Sequence, residues 1–231
     1  MLTSFKTILT NKKQLINNTY LFTFKLIDPS EINFIPGQYL ILKVNGKPRL
    51  YSIASSNLVK NQIEFIIEII PKGLASNYLI NLKENDEVIF QGPAGQFILR
   101  ENDKKKIFLV TGTGIAPVRS MLESYKLQMT NYQLFWGLKT YKDVYLLDEL
   151  REFNLKICLS REQNLDMISE PDRKYFDLGH IDACLEKILD TKYLILNTDF
   201  YLCGGRDAVE SLRQYLLTKN VSPENVVFEK F

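Results

Sequence analysis

The hydrophobic period of this chain changes once, and that change limits what it can fold into. Before Gly92-Pro93-Ala94-Gly95, several short stretches alternate apolar and polar residues with period two, as in Tyr20, Phe22, Phe24 and Leu26 with Thr23 and Lys25 between them. Six short strands are expected there, at roughly 3–10, 18–27, 39–44, 49–54, 63–70 and 86–91. The turn signals Asp28-Pro29, Pro36-Gly37, Asn45-Gly46, Asn61-Gln62 and Asn85-Asp86 separate them, with one short helix at 74–81. Strands in such a series close best as an antiparallel barrel. Past the polar run Glu101 to Lys106, strands alternate with helices: strands 107–111, 132–136, 155–159, 199–203 and 225–228, helices 117–128, 143–152, 181–189 and 206–219. A βαβ series of that kind makes a parallel sheet with helices on both faces. The expected fold class is two-domain β plus α/β, with a six-stranded antiparallel β-barrel over 1–100 and a doubly wound parallel sheet over 104–231.

Composition narrows the function. A formal net charge of +2 argues against a dedicated nucleic-acid binder, and Lys104-Lys105-Lys106 reads as a solvated linker. The three cysteines, Cys158, Cys184 and Cys203, have no C-x-x-C spacing and cannot supply the four thiolates of an iron–sulfur cluster. With one histidine, His180, no metal site is expected, and any iron–sulfur centre must sit on a partner. The apolar stretch Ile63 to Ile70 is broken by Glu64 and Glu68, so no membrane span is expected. The first residues lack an apolar signal core, which makes the cytoplasm the expected location.

Several short motifs carry chemistry. Arg49-Leu50-Tyr51-Ser52 places a forked cation, an aromatic ring and a hydroxyl on one predicted strand, where Arg49 can grip a pyrophosphate and Tyr51 can lie on a ring system. An ordinary exposed strand is the alternative. Gly73-Leu74-Ala75-Ser76 opens the predicted helix at 74–81, either as an amide-rich anion site or as a plain helix start. Thr111-Gly112-Thr113-Gly114-Ile115-Ala116-Pro117 joins the first strand of the second half to its first helix. It is placed to receive a phosphate, although Pro117 stands where G-x-G-x-x-G would have its third glycine. Read by itself it can also be only a tight connection. Cys203-Gly204-Gly205 falls at the carboxyl end of a later parallel strand, where open α/β sheets bind ligands; a buried structural cysteine is the other reading.

Taken in order, Pro36-Gly37-Gln38-Tyr39, Arg49-Leu50-Tyr51-Ser52, Gly73-Leu74-Ala75-Ser76, Gly92-Pro93-Ala94-Gly95, Gly112 to Pro117, Ser160-Arg161-Glu162, Cys203-Gly204-Gly205 and an aromatic at Phe231 resemble the ferredoxin–NADP reductase family along essentially the whole chain. The resemblance implies that the barrel holds FAD and the sheet domain NAD(P). Arg49 would contact the FAD pyrophosphate, Tyr51 would pack on the isoalloxazine, and Ser52 would reach flavin N5. Gly73, Leu74, Ala75 and Ser76 would bind the pyrophosphate, while the backbone of Ile67, Glu68 and Ile69 would line the ribityl side. Thr111, Gly112, Thr113, Gly114 and Pro117 would form the nicotinamide dinucleotide loop. Cys203 would lie near the nicotinamide, with Gly204 and Gly205 allowing close approach. Ser160 and Arg161 match a position near the adenosine ribose, which makes NADPH the expected donor, with NADH possible through Glu162. Glu229 matches a carboxylate near the reacting rings, or is a solvated charge beside Lys230. Phe231 would cover the flavin, or plug an interface.

The activity that the resemblance implies is an FAD-dependent NAD(P)H reductase. It would move hydride from NAD(P)H to flavin N5 and then electrons to a carrier protein, a ferredoxin, flavodoxin or iron–sulfur oxygenase component. Ser52, Cys203, Glu229 and Phe231 would be its catalytic residues, and a monomer is expected. The rival readings are a flavin reductase that releases reduced flavin and a non-catalytic electron-transfer subunit of the same fold. The Gly73–Ser76 motif argues against the first, and the presence of Ser52, Gly112, Gly114 and Cys203 against the second.

Overall fold

A computed structural model describes residues 2–189 and 195–231 of the 231-residue chain. The first sheet comprises β1 (Thr3–Ile16), β2 (Thr19–Asp28), β3 (Tyr39–Val44), β4 (Lys47–Ser52), β5 (Gln62–Glu68) and β6 (Glu87–Ala94), with one helix, α1 (Leu74–Asn81). Its six strands run in the order β4-β3-β6-β1-β2-β5, and every pairing is antiparallel. The period-two face of β2 is the core face: Phe22, Phe24 and Leu26 are buried, and Phe24 meets Phe90 and Phe65 edge-on at 5.1 and 6.0 Å between centroids. Edge strands β4 and β5 come together. Ala54, just past β4, donates its amide to the Glu64 carbonyl at 2.8 Å, and Tyr51 stands edge-on to Phe65 at 6.2 Å. The sheet is therefore curled and barrel-like around its aromatic centre. Between β3 and β4, Asn45 and Gly46 both take positive φ, 50° and 74°, giving a two-residue turn whose twist matches the flanking strands. That turn sets the register that puts Arg49 opposite Leu42 and Ser52 opposite Tyr39.

The second sheet comprises β7 (Lys105–Thr111), β8 (Tyr132–Leu138), β9 (Leu155–Leu159), β10 (Phe176–Leu178), β11 (Thr198–Gly204) and β12 (Val226–Lys230). The described helices after β7 are α2 (Ile115–Tyr125), α3 (Leu147–Leu150), α4 (Ile181–Glu186) and α5 (Arg206–Thr218). All strands are parallel, in the order β10-β9-β8-β7-β11-β12. Chain order reverses between β7 and β11, which creates a crevice at their carboxyl ends where such sheets take ligands.

By internal contacts the chain forms two units, Met1–Arg100 with Ala116–Lys126 and Glu101–Ile115 with Leu127–Phe231. Within the first unit, α2 is docked by polar side chains: Arg119 reaches Glu64 at 2.8 Å and the Ala54 carbonyl at 3.0 Å, and Ser120 donates to the Ser55 carbonyl at 2.7 Å.

Several elements depart from the sequence expectation. β1 continues through the polar stretch Asn11 to Gln14 because ladder bonds to β2, with irregularities at Leu9/Asn11 and Gln14/Ile16, hold it without apolar alternation. The helix expected at 143–152 is reduced to α3, since Thr140 and Asp143 box-cap a turn at Tyr141–Asp143 and Leu146 takes φ 53°. β10 is too short for any periodicity and exists because β9 offers it an edge. The end of the helix expected at 181–189 lies next to residues 190–194, which fall outside the described residues. Among the described residues no helix is long and apolar enough to cross a membrane.

The lysine run at 104–106 is not a solvated linker. Lys105 opens β7, Lys104 donates to the Asn225 side chain at 2.8 Å, and Lys106 is buried against Asp199 at 3.0 Å with side-chain exposures of 8% and 1%. Asn102 completes the cluster by donating to Asp199 at 2.9 Å. Asp199→Ala would leave the Lys106 ammonium buried without its counter-ion and is expected to cost about 3–5 kcal/mol in chemical denaturation. Lys106→Met/Asp199→Leu is expected to recover most of that loss. A single variant within about 0.5 kcal/mol of the parent would show that water reaches the pair.

Candidate functional site

In the first unit the chemistry gathers on β4 and α1. Arg49 and Leu50 are exposed, while Tyr51 and Ser52 are half-buried at the end of β4. Arg49 lies along its own strand, donating to the Pro48 carbonyl at 2.8 Å, which leaves further guanidinium N–H groups for an anion. Burial pushes the Tyr51 hydroxyl up to about 12, against the opposing charge of Arg49, so it remains a donor at neutral pH. Tyr51, Leu74 and Tyr78 rest on the same buried cluster, which puts the aromatic end of β4 and the α1 start on one support.

Helix α1 begins at Gly73 with neither a side-chain cap nor an acidic residue in its first turn. The orphan amides of that turn are therefore available to an outside acceptor. Ser76 is buried and accepts the Ile70 amide at 2.9 Å, a bond that braces the turn and leaves its hydroxyl proton to donate. Just past β5 the Ile69 amide bonds to the Asn18 carbonyl at 2.7 Å, so odd residues, Ile67 and Ile69, point their backbone groups toward β2. Of the three expected backbone contributors, Glu68 is thus the one whose amide and carbonyl turn away from β2.

The second unit brings Thr111 to Gly114 and Cys203 to Gly205 to the crevice between β7 and β11. Gly112–Gly114 form a single 3₁₀ turn between β7 and α2, and Pro117 is the third residue of that helix, where a missing N–H costs nothing. A β-carbon on Gly114 would lie 2.2 Å from the Cys203 carbonyl, and one on Gly204 would lie 2.1 Å from the Thr111 hydroxyl. Only glycine lets the loop and the end of β11 cross so closely. Cys203 is fully buried and pairs in register with Glu229. Burial foremost, then the Glu229 charge, pushes its thiol well above the ordinary range against a Gly204 backbone hydrogen bond. Phe231 is 59% exposed, but its backbone is fixed: its amide donates to the Gly204 carbonyl and its carbonyl accepts from Arg206, both at 3.2 Å.

At the end of β9, Ser160 donates to the Leu138 carbonyl at 3.2 Å and Arg161 is exposed. Glu162 accepts the Tyr141 amide at 3.0 Å, so its carboxylate is engaged in capping a turn. Sequence reasoning did not reach Trp136 and Tyr145, whose side chains both donate to the Gly112 carbonyl, at 3.0 and 3.1 Å. No spacing rule links those positions to the loop.

Two domain families match the chain, the oxidoreductase FAD-binding domain over residues 6–98 and the oxidoreductase NAD-binding domain over 108–214. The toluate 1,2-dioxygenase electron transfer component of Pseudomonas putida is 31% identical over 98% of this chain and 67% of its own length. The 2-halobenzoate 1,2-dioxygenase electron transfer component of Burkholderia cepacia is 31% identical over 93% and 64%. The chain thus spans about two thirds of the length of these curated relatives. Its fold is also that of a ferredoxin reductase in carbazole 1,9a-dioxygenase, with a TM-score of 0.83, 20% identity and coverage of 100% and 70%. A ferredoxin NADP⁺ reductase from Neisseria gonorrhoeae gives a TM-score of 0.81 at 21% identity, with coverage of 99% and 98%. The chain belongs to the ferredoxin–NADP reductase family of FAD- and NAD-binding oxidoreductases.

The residues present fit the cofactors of that family. A pyrophosphate needs donors without competing acceptors, and both the uncapped first turn of α1 and the glycine turn before α2 offer them. A flat ring system needs an aromatic support, and Tyr51 is braced by Phe65.

The state of Cys203 is directly testable. Because its thiolate is suppressed, iodoacetamide is expected to leave Cys203 unlabelled in the folded protein at pH 8.5 and to label it after unfolding, as read by peptide mass. The unfolded chain ionises first, so the stability that the neutral thiol contributes is complete below the ordinary thiol pKa of about 8.5 and is lost as pH rises above it. Rapid labelling of the folded protein would show that the end of β11 opens to solvent.

Proposed function

We propose that the protein is an FAD-dependent NAD(P)H reductase that passes electrons to a separate carrier protein. One observation carries the reading: a single chain provides two helix starts with amides open to an anion, one in the unit matching an FAD-binding domain and one at the switch point of the unit matching an NAD-binding domain. FAD, when bound, supplies uptake of a hydride at N5 and release of electrons one at a time. The chain's own residues supply alignment and electrostatics. Arg49 and the α1 amides hold the pyrophosphate, Tyr51 offers its ring and its protonated hydroxyl, and Ser52 places a hydroxyl for a hydrogen bond at N5. Gly112 to Gly114 take the second pyrophosphate. Cys203, a neutral thiol, fills the floor beside the nicotinamide without adding charge, and Gly204 and Gly205 keep side chains out of its way.

NADPH is the proposed donor, because Arg161 is exposed while Glu162, the carboxylate that would suit an unphosphorylated ribose, is occupied by the Tyr141 amide. Relatives named as electron transfer components of dioxygenases support a ferredoxin, flavodoxin or iron–sulfur oxygenase component as acceptor. The reductase is proposed to work as a cytoplasmic monomer. Release of free reduced flavin is disfavoured by the α1 start, which would serve no purpose unless the adenylate half of FAD were held.

Purified protein is expected to be yellow with about one FAD per chain, retained through gel filtration, and its flavin band is expected to bleach with NADPH faster than with NADH. Arg161→Ala is expected to lower kcat/KM for NADPH by about 10- to 100-fold and to leave NADH nearly unchanged. Unchanged kcat/KM for both donors would remove Arg161 from the site; colourless protein that refuses FAD would remove the function.

Phe231 is proposed to compete with the nicotinamide ring, since its side chain is exposed while its backbone holds it at the Gly204 edge. Phe231→Ser is expected to bind NADP⁺ more tightly, with altered kcat and unchanged thermal stability. A variant with lower stability and parental nucleotide affinity would mean that the ring serves packing alone.

A further inference from the structure

The turn at Gly112–Gly114 is held by two side chains that no phosphate-loop pattern contains. Trp136 on β8 donates its indole N–H to the Gly112 carbonyl at 3.0 Å, and Tyr145 donates its hydroxyl to the same oxygen at 3.1 Å. The Ile115 amide closes the turn on that oxygen as well. Trp136 is fully buried and Tyr145 is 5% exposed, and the two rings stand edge to face with centroids 4.8 Å apart and planes at 83°. A buried indole N–H and a buried phenol each need an acceptor, and here both converge on one peptide.

The direction of that peptide decides what the loop offers a ligand. The Gly112 carbonyl and the Thr113 N–H belong to one planar trans unit and point opposite ways. Gly112, at φ 51°, is the residue type with the most freedom to rotate such a plane. Donors gathered on its oxygen remove that freedom. With the oxygen drawn toward Trp136 and Tyr145, the Thr113 N–H is turned the other way, and a β-carbon on Gly112 would meet nothing within 4 Å. A donor fixed in advance needs no reordering when its acceptor arrives.

We infer that Trp136 and Tyr145 are positioning residues for the dinucleotide, fixing the Gly112–Thr113 peptide so that the Thr113 N–H is preset for the anionic pyrophosphate. The inference rests on the proposed role of this loop. Because Trp136 is the chain's one tryptophan, the loop also carries its own fluorescent reporter.

The test uses the FAD-saturated full chain with NADP⁺ and NAD⁺ as probes. Tyr145→Phe removes one hydroxyl and keeps the ring; Trp136→Phe removes the indole N–H and keeps an aromatic. Calorimetry is expected to show a Kd for the preferred dinucleotide raised about 3- to 10-fold in each variant and more in the double variant. KM is expected to rise by a similar factor, with kcat falling less than about twofold and with flavin content and Tm held. In ¹⁵N–¹H spectra the Thr113 amide is expected to shift strongly on dinucleotide addition in the parent and weakly in Tyr145→Phe. In the parent and in Trp136-containing variants, tryptophan fluorescence is expected to follow the same titration. Parental binding that both variants reproduce would overturn the positioning role alone, as would weaker binding seen only alongside a lower Tm and lost flavin. A parent that binds neither dinucleotide would instead overturn the reading of the loop on which the inference stands.

Discussion

A backbone amide can face a ligand only if the fold gives it no other acceptor, and both units of this chain meet that condition at the first turn of a helix. An α-helix leaves its first amides without internal partners, and natural helices usually satisfy one with a Ser, Thr, Asp or Asn cap. Here α1 starts at Gly73 with no side-chain cap, and the turn before α2 is Gly-Thr-Gly with no acidic residue in its first turn. Leaving these donors unmet weakens each helix start slightly, and the surrounding structure offsets that cost: Ser76 braces the α1 turn from inside, and Trp136 and Tyr145 brace the loop before α2.

The two units reach this result by different packing. In the first, an aromatic cluster around Phe24, Phe65 and Phe90 fills the curled sheet, and Tyr51 lies at its margin, edge-on to Phe65, with its hydroxyl pKa pushed up by burial. In the second, reversal of strand order opens a crevice, and glycine at 114 and 204 lets the loop cross the end of β11 near van der Waals limits. The same crossing buries Cys203, which explains why a cysteine beside a binding crevice behaves as a small apolar filler. Its thiolate would have neither water nor a cation, and Glu229 beside it makes a second negative charge costlier still.

The sequence by itself determined the architecture. The change of hydrophobic period set two kinds of sheet; α1 was legible to its bounds of Leu74–Asn81, and the loop glycines lie where a strand meets a helix. Such features are local, written in residues a few positions apart. Tertiary structure decided what local pattern cannot carry. It placed Lys106 in the interior, because a lysine at the start of a strand is buried or solvated according to whether a carboxylate from Asp199, far along the chain, awaits it. It shortened α3, because a capped turn and a left-handed Leu146 overrode helix periodicity, and it created β10 from an edge that β9 alone supplies. Above all it joined Trp136 and Tyr145 to Gly112, since a hydrogen bond between residues more than twenty positions apart depends on where strands and loops come to lie, and no spacing within the sequence records that.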